Sequence, residues 1–498
     1  MISKKFKKTN LFVSNNSFVL KFNSELNTSK LLSYYITYPS SIIYVTKKNV
    51  SPKCNQIPYT IGYTKSFYEL SIDEIHARFA PIFIQANSIM IPKKVEYNLK
   101  RHVSKKELKN INKDENIAIE LCLIFLSNLS STYYIENKWK SLNSTYLHKQ
   151  SKRDNDNTYI YLKIKKLLKN GTKKNGKIIE VFKNENYNES YKIGKTSKQF
   201  RLSSTYLKPG LIEYIIQNDE LINKRRHYIQ NIIKESSTNV ICRNLFYFYE
   251  KVSFPTKNEI LVEAKRLVKG KYKTKKGKRL TFKNKHSKNH WKNSKERSFV
   301  ENNIKLFEYL TKRGFMIPQQ GSVASGGRVV DSFTLMPSWI RNMCKVDGKR
   351  FVEVDYSTLH PNIAMNIYGG SCRSISHSEV AEHLEISRLE AKVEHLSFFN
   401  KKWDNMLKSP LFEYYAKNEP DMLQNLYKDK NENGHKITSK RLFQMEVQIM
   451  TQVIKELNNM NIYVGYVYDA LICSPKQKYV VTSVMNKVVK EFNVKTHV

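Results

Sequence analysis

Residues 351–370 read FVEVDYSTLHPNIAMNIYGG. The alternation over Phe351-Val352-Glu353-Val354-Asp355 predicts a short strand that ends on an acid, and a helix-compatible run follows at once. An Asp at the end of a core strand, with a backbone turn beside it, can hold a hard metal ion near a phosphate. Taken alone, Asp355 is equally a turn residue or a helix cap. The rest of the chain decides between these readings.

Three further stretches bear on it. Ile462 to Pro475, IYVGYVYDALICSP, has two apolar runs flanking Asp469-Ala470, the pattern of a β-hairpin with an acid at its tip. Such a hairpin beside the Asp355 strand would bring two carboxylates close together, and close carboxylates repel unless cations lie between them. By itself Asp469 is an ordinary turn residue. In Ile386 to Asn400, ISRLEAKVEHLSFFN, Ser387 and Glu390 have capping-box spacing and open a helix. Arg388 and Lys392 then lie one above the other near its N-terminus, where anions are already favoured. The same pair is also what an exposed basic stripe looks like. Gly321 to Arg341, GSVASGGRVVDSFTLMPSWIR, supplies Gly326-Gly327 for a close backbone approach and the cations Arg328 and Arg341. Phosphate or nucleotide contact and a structural loop both fit that segment.

The chain has 498 residues, enough for several domains. Its 85 Lys and Arg against 44 Asp and Glu give a net charge of +41, which favours a polyanion partner over the substrates of an ordinary metabolic enzyme. No apolar run approaches bilayer length; the nearest, Ala118 to Leu129, contains Glu120 and Asn128 and reads as a core helix. The opening MISKKFKKTN lacks an apolar core, so no secretory signal is expected. Cys54, Cys122, Cys242, Cys344, Cys372 and Cys473 form no CxxC pair, which predicts neither a zinc site nor a disulfide framework. A reducing compartment, cytoplasmic or nucleoid-associated, follows. His286 and His290 lie in a lysine run and read as solvated.

Residues 1–200 are expected to form an N-terminal domain without a recognisable metal or nucleophile constellation. Strands are expected at 41–45 and 59–63, and helices at 71–79 and 113–129. Residues 201–297 read as a basic, partly helical region, thumb-like or a linker. Thr256 and Glu259 cap a helix there that stops near Gly270. Fifteen Lys and Arg between Lys265 and Arg297 interleave with Tyr272, Phe282 and Trp291. That run is either a solvated segment or a nucleic-acid arm. Residues 298–498 carry the motifs.

Their order is Gly-Gly-Arg, strand-Asp, Arg-x-x-x-Lys helix, hairpin-Asp. It resembles that of the family A DNA polymerases, the group of bacterial DNA polymerase I, and of their relatives the single-subunit phage-type RNA polymerases, in a compact phage or mobile-element form. The resemblance covers about residues 315–475. DYSTLHPNI is similar to motif A, Arg388-x-x-x-Lys392 to the start of motif B, VYDALI to motif C, and SGGRVVDSFTLMPSWIR to the segment before motif A.

The resemblance implies an α+β right-hand fold: an antiparallel palm sheet, a helical fingers insertion and a separate N-terminal region. It implies a DNA-directed DNA polymerase in DNA replication, with a primer-template, dNTPs and other replication proteins as partners and no membrane. Asp355 and Asp469 would be ligands of two Mg²⁺ ions, with Mn²⁺ as a substitute, and the Tyr356 carbonyl would complete the site. Arg388 and Lys392 would hold the triphosphate, and Lys392 would protonate pyrophosphate. Arg328, Arg341, Lys440, Gln444 and Gln448 would meet primer-template.

Three positions depart from the family pattern. His360 replaces the usual Glu near the sugar. Leu396 and Asn400 replace the motif B aromatics, with Phe398 and Phe399 off that register. Ala470 follows the motif C Asp where a second acid is usual. Two rival readings therefore stay open: an RNA polymerase or primase-polymerase of the same fold, and a catalytically inactive nucleic-acid-binding replication protein.

Overall fold

The sheet carrying Asp355 has three strands, and everything between its first and second strand in sequence is helical or loop. In this computed structural model the described residues are 86–130, 139–144, 147–148, 151, 158–172, 174, 176–183, 189, 197–207, 210–274, 277–283, 296–311, 317–322, 325–371 and 373–498, with Ser71 and four short strands nearer the N-terminus. Two of those strands, Ile42–Val45 and Tyr59–Gly62, pair antiparallel where β-branched and aromatic residues predict them. The helix expected at 71–79, Cys54, Cys372, His286, His290 and Trp291 lie outside the described residues.

Two apolar cores fill the described interior. The first draws on residues between Ile89 and Leu221. It contains strand β1 (Ser88–Pro92), helix α1 (Glu115–Ser127) and strand β2 (Leu211–Ile215), with β1 and β2 antiparallel. Helix α1 is buried nearly all round, as the sequence predicts for a core helix. Its Glu120 is satisfied there: it accepts from the Tyr214 hydroxyl at 2.9 Å and from the backbone N–H groups of Gln217 at 2.6 Å and Asn218 at 3.1 Å. No helix among the described residues is long and apolar enough to cross a membrane.

The second core draws on Ala86 and on residues between Ile229 and Val494. Its helices begin with α2 (Asp219–Ser236), whose Ile222 packs against both cores. Helix α3 (Val240–Tyr249) follows, then α4 (Lys257–Lys269), opened by the Thr256–Glu259 capping box and ending at Gly270 as its sequence predicts. Within residues 201–297, Ile241, Leu245, Phe248 and Ile260 belong to this second core, and Leu202, Tyr206 and Leu221 to the first. Cys122, Cys242, Cys344 and Cys473 are buried free thiols.

The central sheet is β3 (Val352–Asp355), β4 (Gly465–Val467) and β5 (Ala470–Cys473), in the order β3-β5-β4, all antiparallel. Between β3 and β4 come α5 (Leu359–Tyr368), α6 (His377–His383), α7 (Arg388–Phe398), α8 (Pro410–Asn418), α9 (Pro420–Asn433) and α10 (Ile437–Asn459). Helix α11 (Lys478–Glu491) closes the chain's regular structure. Asn244 of α3 clamps the entry to β4: its amide donates to the Val464 carbonyl at 2.6 Å and accepts from the Val464 N–H at 3.1 Å. That buried exchange satisfies a strand edge and fixes the hairpin against α3.

Candidate active site

The ladder register decides where the two motif acids go. Val352 faces Cys473, Val354 faces Leu471, and Asp355 faces Ala470, so Asp469 is one residue further along beside Asp355. Residues opposite one another in an antiparallel pair have Cα atoms about 4.5–5.5 Å apart. The hairpin makes its turn with Tyr468 and Asp469 alone, since Val467 still pairs with Ala470. A two-residue turn needs positive φ, and Tyr468 supplies it at 62°. A bulky aromatic in that region is unusual, and it marks a tip held by its surroundings.

Those surroundings are cationic on one side and acidic on the other. The Arg328 guanidinium lies 4.8 Å from the Tyr468 ring centre and 3.7 Å from that of Phe443 on α10. Its Nε donates to Glu446 Oε1 at 2.8 Å and its Nη2 donates to Glu446 Oε2. His360, in the first turn of α5, has its Nε2 2.7 Å from the same Oε2. Burial alone would raise the Glu446 carboxyl, but its contacts with His360 and Arg328 outweigh burial and hold it below the usual value. Asp469 has the opposite balance. Burial and the nearby Glu446 hold it above the usual carboxylate value, against the weaker pull of His360, its own backbone N–H and Arg328. The Tyr466 hydroxyl, on the strand leading to the turn, is buried without a hydrogen-bond partner among the described residues.

Gly326 and Gly327 do allow a close approach, and what approaches is protein. A Cβ on Gly326 would stand 2.3 Å from Phe443 Cβ and 2.9 Å from the Gln444 nitrogen. The loop therefore seats directly on α10 and delivers Arg328 to Glu446. With its side chain 17% exposed and its fork filled by a carboxylate, Arg328 is a positioning cation in this arrangement and is not offered to nucleic acid. Arg341, expected at primer-template, is instead 4% exposed and enclosed near Phe333, Glu353 and Asp331. Its short helix gives no periodicity that would have separated a buried Arg from an exposed one. Glu353, on the pleat face of Asp355, lies among the charges that steady it.

The remaining residues fall in two groups. The Tyr356 side chain is buried and donates to the Met485 carbonyl at 2.7 Å, which anchors the turn after Asp355 on α11. Lys440, Gln444 and Gln448 lie along one side of α10, half-buried at the first two positions and exposed at the third. Arg388 and Lys392 share the expected face of α7, whose Ser387–Glu390 capping box is present. Both are exposed, and both depress His377 on α6, where burial and His395 are the larger causes and the imidazole is pushed down to about 4. Next to them on the same helix surface run the exposed apolar side chains Leu389, Val393 and Leu396. Phe398 and Phe399 are buried against Tyr415, so they belong to the packing of α7 on α8 and not to its open face.

Glu446 and Phe443, both on α10, belong to this cluster and to none of the motifs. Glu446 is the more informative of the two. Its signal was present in the helix pattern: with Leu442, Ile449, Met450 and Val453 it occupies the buried stripe of α10. A charge on such a stripe requires a buried partner.

No family model matches the sequence, and no curated protein matches it. Among solved structures, the chain is similar to the POL domain of Pol1 from M. smegmatis in complex with DNA primer-template and dNTP. The identity is 10%, the alignment covers 55% of this chain and 71% of that one, and the TM-score is 0.34. A likeness of that size carries no argument about fold or chemistry, and the reading that follows rests on the residues themselves.

Proposed function

We propose that this chain is a template-directed nucleotidyl transferase, a DNA-directed DNA polymerase that extends a primer 3′-hydroxyl with dNTPs. The observation that carries the reading is the β3–β5 register, which sets Asp355 beside Asp469 at an open end of a small antiparallel sheet. Asp355 is exposed there and Asp469 is half-buried. The net charge of +41 suits a polyanionic template.

No group of three or more His, Cys, Asp or Glu side chains among the described residues forms a closed metal cage. Mg²⁺ does not require one, since it is commonly held by one or two carboxylates with the substrate's phosphates and water completing its shell. Asp469, held above its usual pKa by burial and by Glu446, is a carboxylate that gains from a nearby cation. Asp355, Asp469 and the Tyr356 carbonyl therefore fit as the residues that would hold two Mg²⁺ ions. When bound, such ions activate a 3′-hydroxyl and neutralise the departing pyrophosphate.

The chain's own groups do the rest. The Tyr468–Asp469 turn, whose Tyr468 ring Arg328 stacks on, keeps Asp469 one residue beyond the position paired with Asp355. Arg388 and Lys392 bind the triphosphate, and Lys392 gives a proton to a pyrophosphate oxygen. The apolar stripe of Leu389, Val393 and Leu396 beside them offers a surface for the base. Lys440, Gln444 and Gln448 face the duplex.

Primer extension with purified protein tests this. Wild type should extend a primed DNA template only with Mg²⁺ or Mn²⁺ present. Asp355→Asn should lose extension while retaining most DNA binding, measured by fluorescence anisotropy. Tight binding by a wild type that extends no primer with any nucleotide would leave the inactive binding protein as the better reading. A second reading, RNA synthesis, is favoured by His360, an imidazole where the resemblance implies a Glu near the sugar.

A further inference from the structure

The three residues after Asp355 are each held from outside their own turn. The Tyr356 hydroxyl donates to the Met485 carbonyl of α11 at 2.7 Å. The Ser357 N–H donates to the His497 carbonyl at 2.8 Å, and the Ser357 carbonyl accepts from the Thr496 hydroxyl. The Thr358 carbonyl accepts from the buried Asn362 amide at 2.9 Å. Such support has a local cause. Thr358, which leads into α5, stands at φ 54° and ψ 42° with no side-chain cap among the described residues. A β-branched residue is a rare occupant of the left-handed region and persists there only where its surroundings determine it. The turn from β3 into α5 is therefore held in shape by its neighbours. Asn493–Val498, the stretch after α11, does much of the holding. Its Val494 is buried in the second core. The Asn366 amide of α5 donates to the Asn493 carbonyl at 3.1 Å, and the Val498 N–H donates to Asn486 Oδ1 of α11 at 2.9 Å. The stretch is thus tied to α5 at one end and to α11 at the other, and it grips Ser357 in between.

We infer that Asn493–Val498 is a positioning strap, in which the Thr496 hydroxyl and the His497 carbonyl hold Ser357 and so aim the Tyr356 carbonyl beside Asp355. The link from strap to site is one peptide unit. The Ser357 N–H and the Tyr356 carbonyl belong to the same planar trans peptide and point in opposite directions. Fixing the N–H on His497 turns the Tyr356 carbonyl away from the strap. The Thr496 hydroxyl fixes the next peptide, between Ser357 and the left-handed Thr358, so the turn cannot relax by flipping either plane. The inference rests on the proposed nucleotidyl transfer, which gives Asp355 and the Tyr356 carbonyl their work. Thr496 and His497 act through Ser357 and touch no substrate.

Two measurements on the full chain test it. Thr496→Val keeps the shape of the side chain and removes its hydroxyl; Thr496→Ser keeps the hydroxyl. In hydrogen exchange read at single residues by mass spectrometry, without metal or nucleotide, the Ser357 amide should exchange about two- to tenfold faster in Thr496→Val, the worth of one neutral hydrogen bond. Thr496→Ser should exchange at the wild-type rate. In primer extension, Thr496→Val should lower kcat about tenfold and raise the half-saturating Mg²⁺ concentration, with the KM for primer-template unchanged, and Thr496→Ser should restore both. Asn366→Ala, at an exposed position of α5, loosens the strap from its other end and should move the same quantities in the same direction, so the test stands even if Thr496→Val does not fold. The inference is overturned if Ser357 exchange quickens while kcat and the Mg²⁺ requirement stay at wild type, because the strap then only stabilises the turn. It is equally overturned if Ser357 exchange is unchanged in both variants. If wild type extends no primer with any nucleotide, the nucleotidyl-transfer reading falls and takes the positioning role with it. If wild type extends and the variants extend equally well, the positioning role alone falls.

Discussion

Alanine placed at Gly326 and at Gly327 should have very different consequences, although the residues are adjacent. Both are left-handed, with φ of 68° and 79°, so the backbone cost of alanine is similar at each, about 1 kcal/mol. What differs is the space. A Cβ on Gly326 would lie 2.3 Å from Phe443 Cβ, 2.8 Å from the Phe443 carbonyl carbon and 2.9 Å from the Gln444 nitrogen. Ordinary carbon contacts are about 3.5–4.0 Å, so loop and helix must part by about 1 Å, and two of the three obstructing atoms are helix backbone that cannot swing away. Overpacking of this kind adds about 1–3 kcal/mol, for a total of about 2–4 kcal/mol. On Gly327 the nearest atom is Gln320 Nε2 at 3.2 Å, the mobile end of an exposed side chain, and the cost stays near about 1 kcal/mol. The displacement at Gly326 also falls on the contact through which Arg328 stacks on Phe443 and reaches Glu446. Gly326→Ala should therefore lose primer extension as well as stability, while Gly327→Ala retains both to within a few-fold. Urea denaturation followed by tryptophan fluorescence gives the stabilities, and kcat/KM on a primed template gives the activities. Equal destabilisation by the two variants, or wild-type extension by Gly326→Ala, would refute the seating of this loop on α10 as the device that positions Arg328.

Two further outcomes can be checked independently. Lys392→Ala should raise the KM for nucleotide and slow pyrophosphorolysis by about ten- to a hundredfold, the worth of a charge-assisted hydrogen bond to phosphate; unchanged steady-state constants would remove Lys392 from the triphosphate site. His395, on α7, is buried against Tyr415 of α8 and is pushed down to about 4, chiefly by burial, so the folded state favours its neutral form. The stability it contributes is complete above pH 6.5, is lost as pH falls from there toward 4, and amounts to about 3 kcal/mol. Urea unfolding at pH 7 and 5 should show about 2 kcal/mol of that loss, and His395→Asn should lessen it, leaving the part owed to His377.

Much of the site could be read because its signals are local. Strand alternation ending at Asp355, a two-residue turn at Asp469 and the Ser387–Glu390 cap each depend on a few neighbouring residues. What could not be read is where buried charges find partners, because that depends on contacts across long stretches of chain. Arg328 and Glu446 are 118 residues apart, and nothing near either one names the other. The same limit explains Arg341, whose neighbours Glu353 and Asp331 come from either side of it in sequence and enclose it only after folding. The motif B aromatics illustrate a further case. Phe398 and Phe399 look available for stacking in a linear reading, yet Tyr415 on α8 takes both into the core and leaves Leu396, 70% exposed, on the open face.

The division of charge along α10 explains why only some of the expected nucleic-acid contacts are free to serve. Successive helical residues are turned by about 100°, so Glu446 lies about 200° around the helix from Gln444. The inward side of α10 spends its acid on Arg328 and His360, and so removes Arg328 from the pool of cations that could grip a duplex. The outward side keeps Lys440, Gln444 and Gln448 in a row on the surface. Glu446 also raises the cost of ionising Asp469, and the cations that could relieve that cost are already held by Glu446 itself. In the proposed reaction a bound divalent ion would supply the charge that settles Asp469. A neutral replacement at Glu446 would weaken the turn's anchor and at the same time lessen the demand of Asp469 for a cation. On this argument the buried acid, which belongs to none of the motifs, links the pinning of the turn to the readiness of the site for a metal.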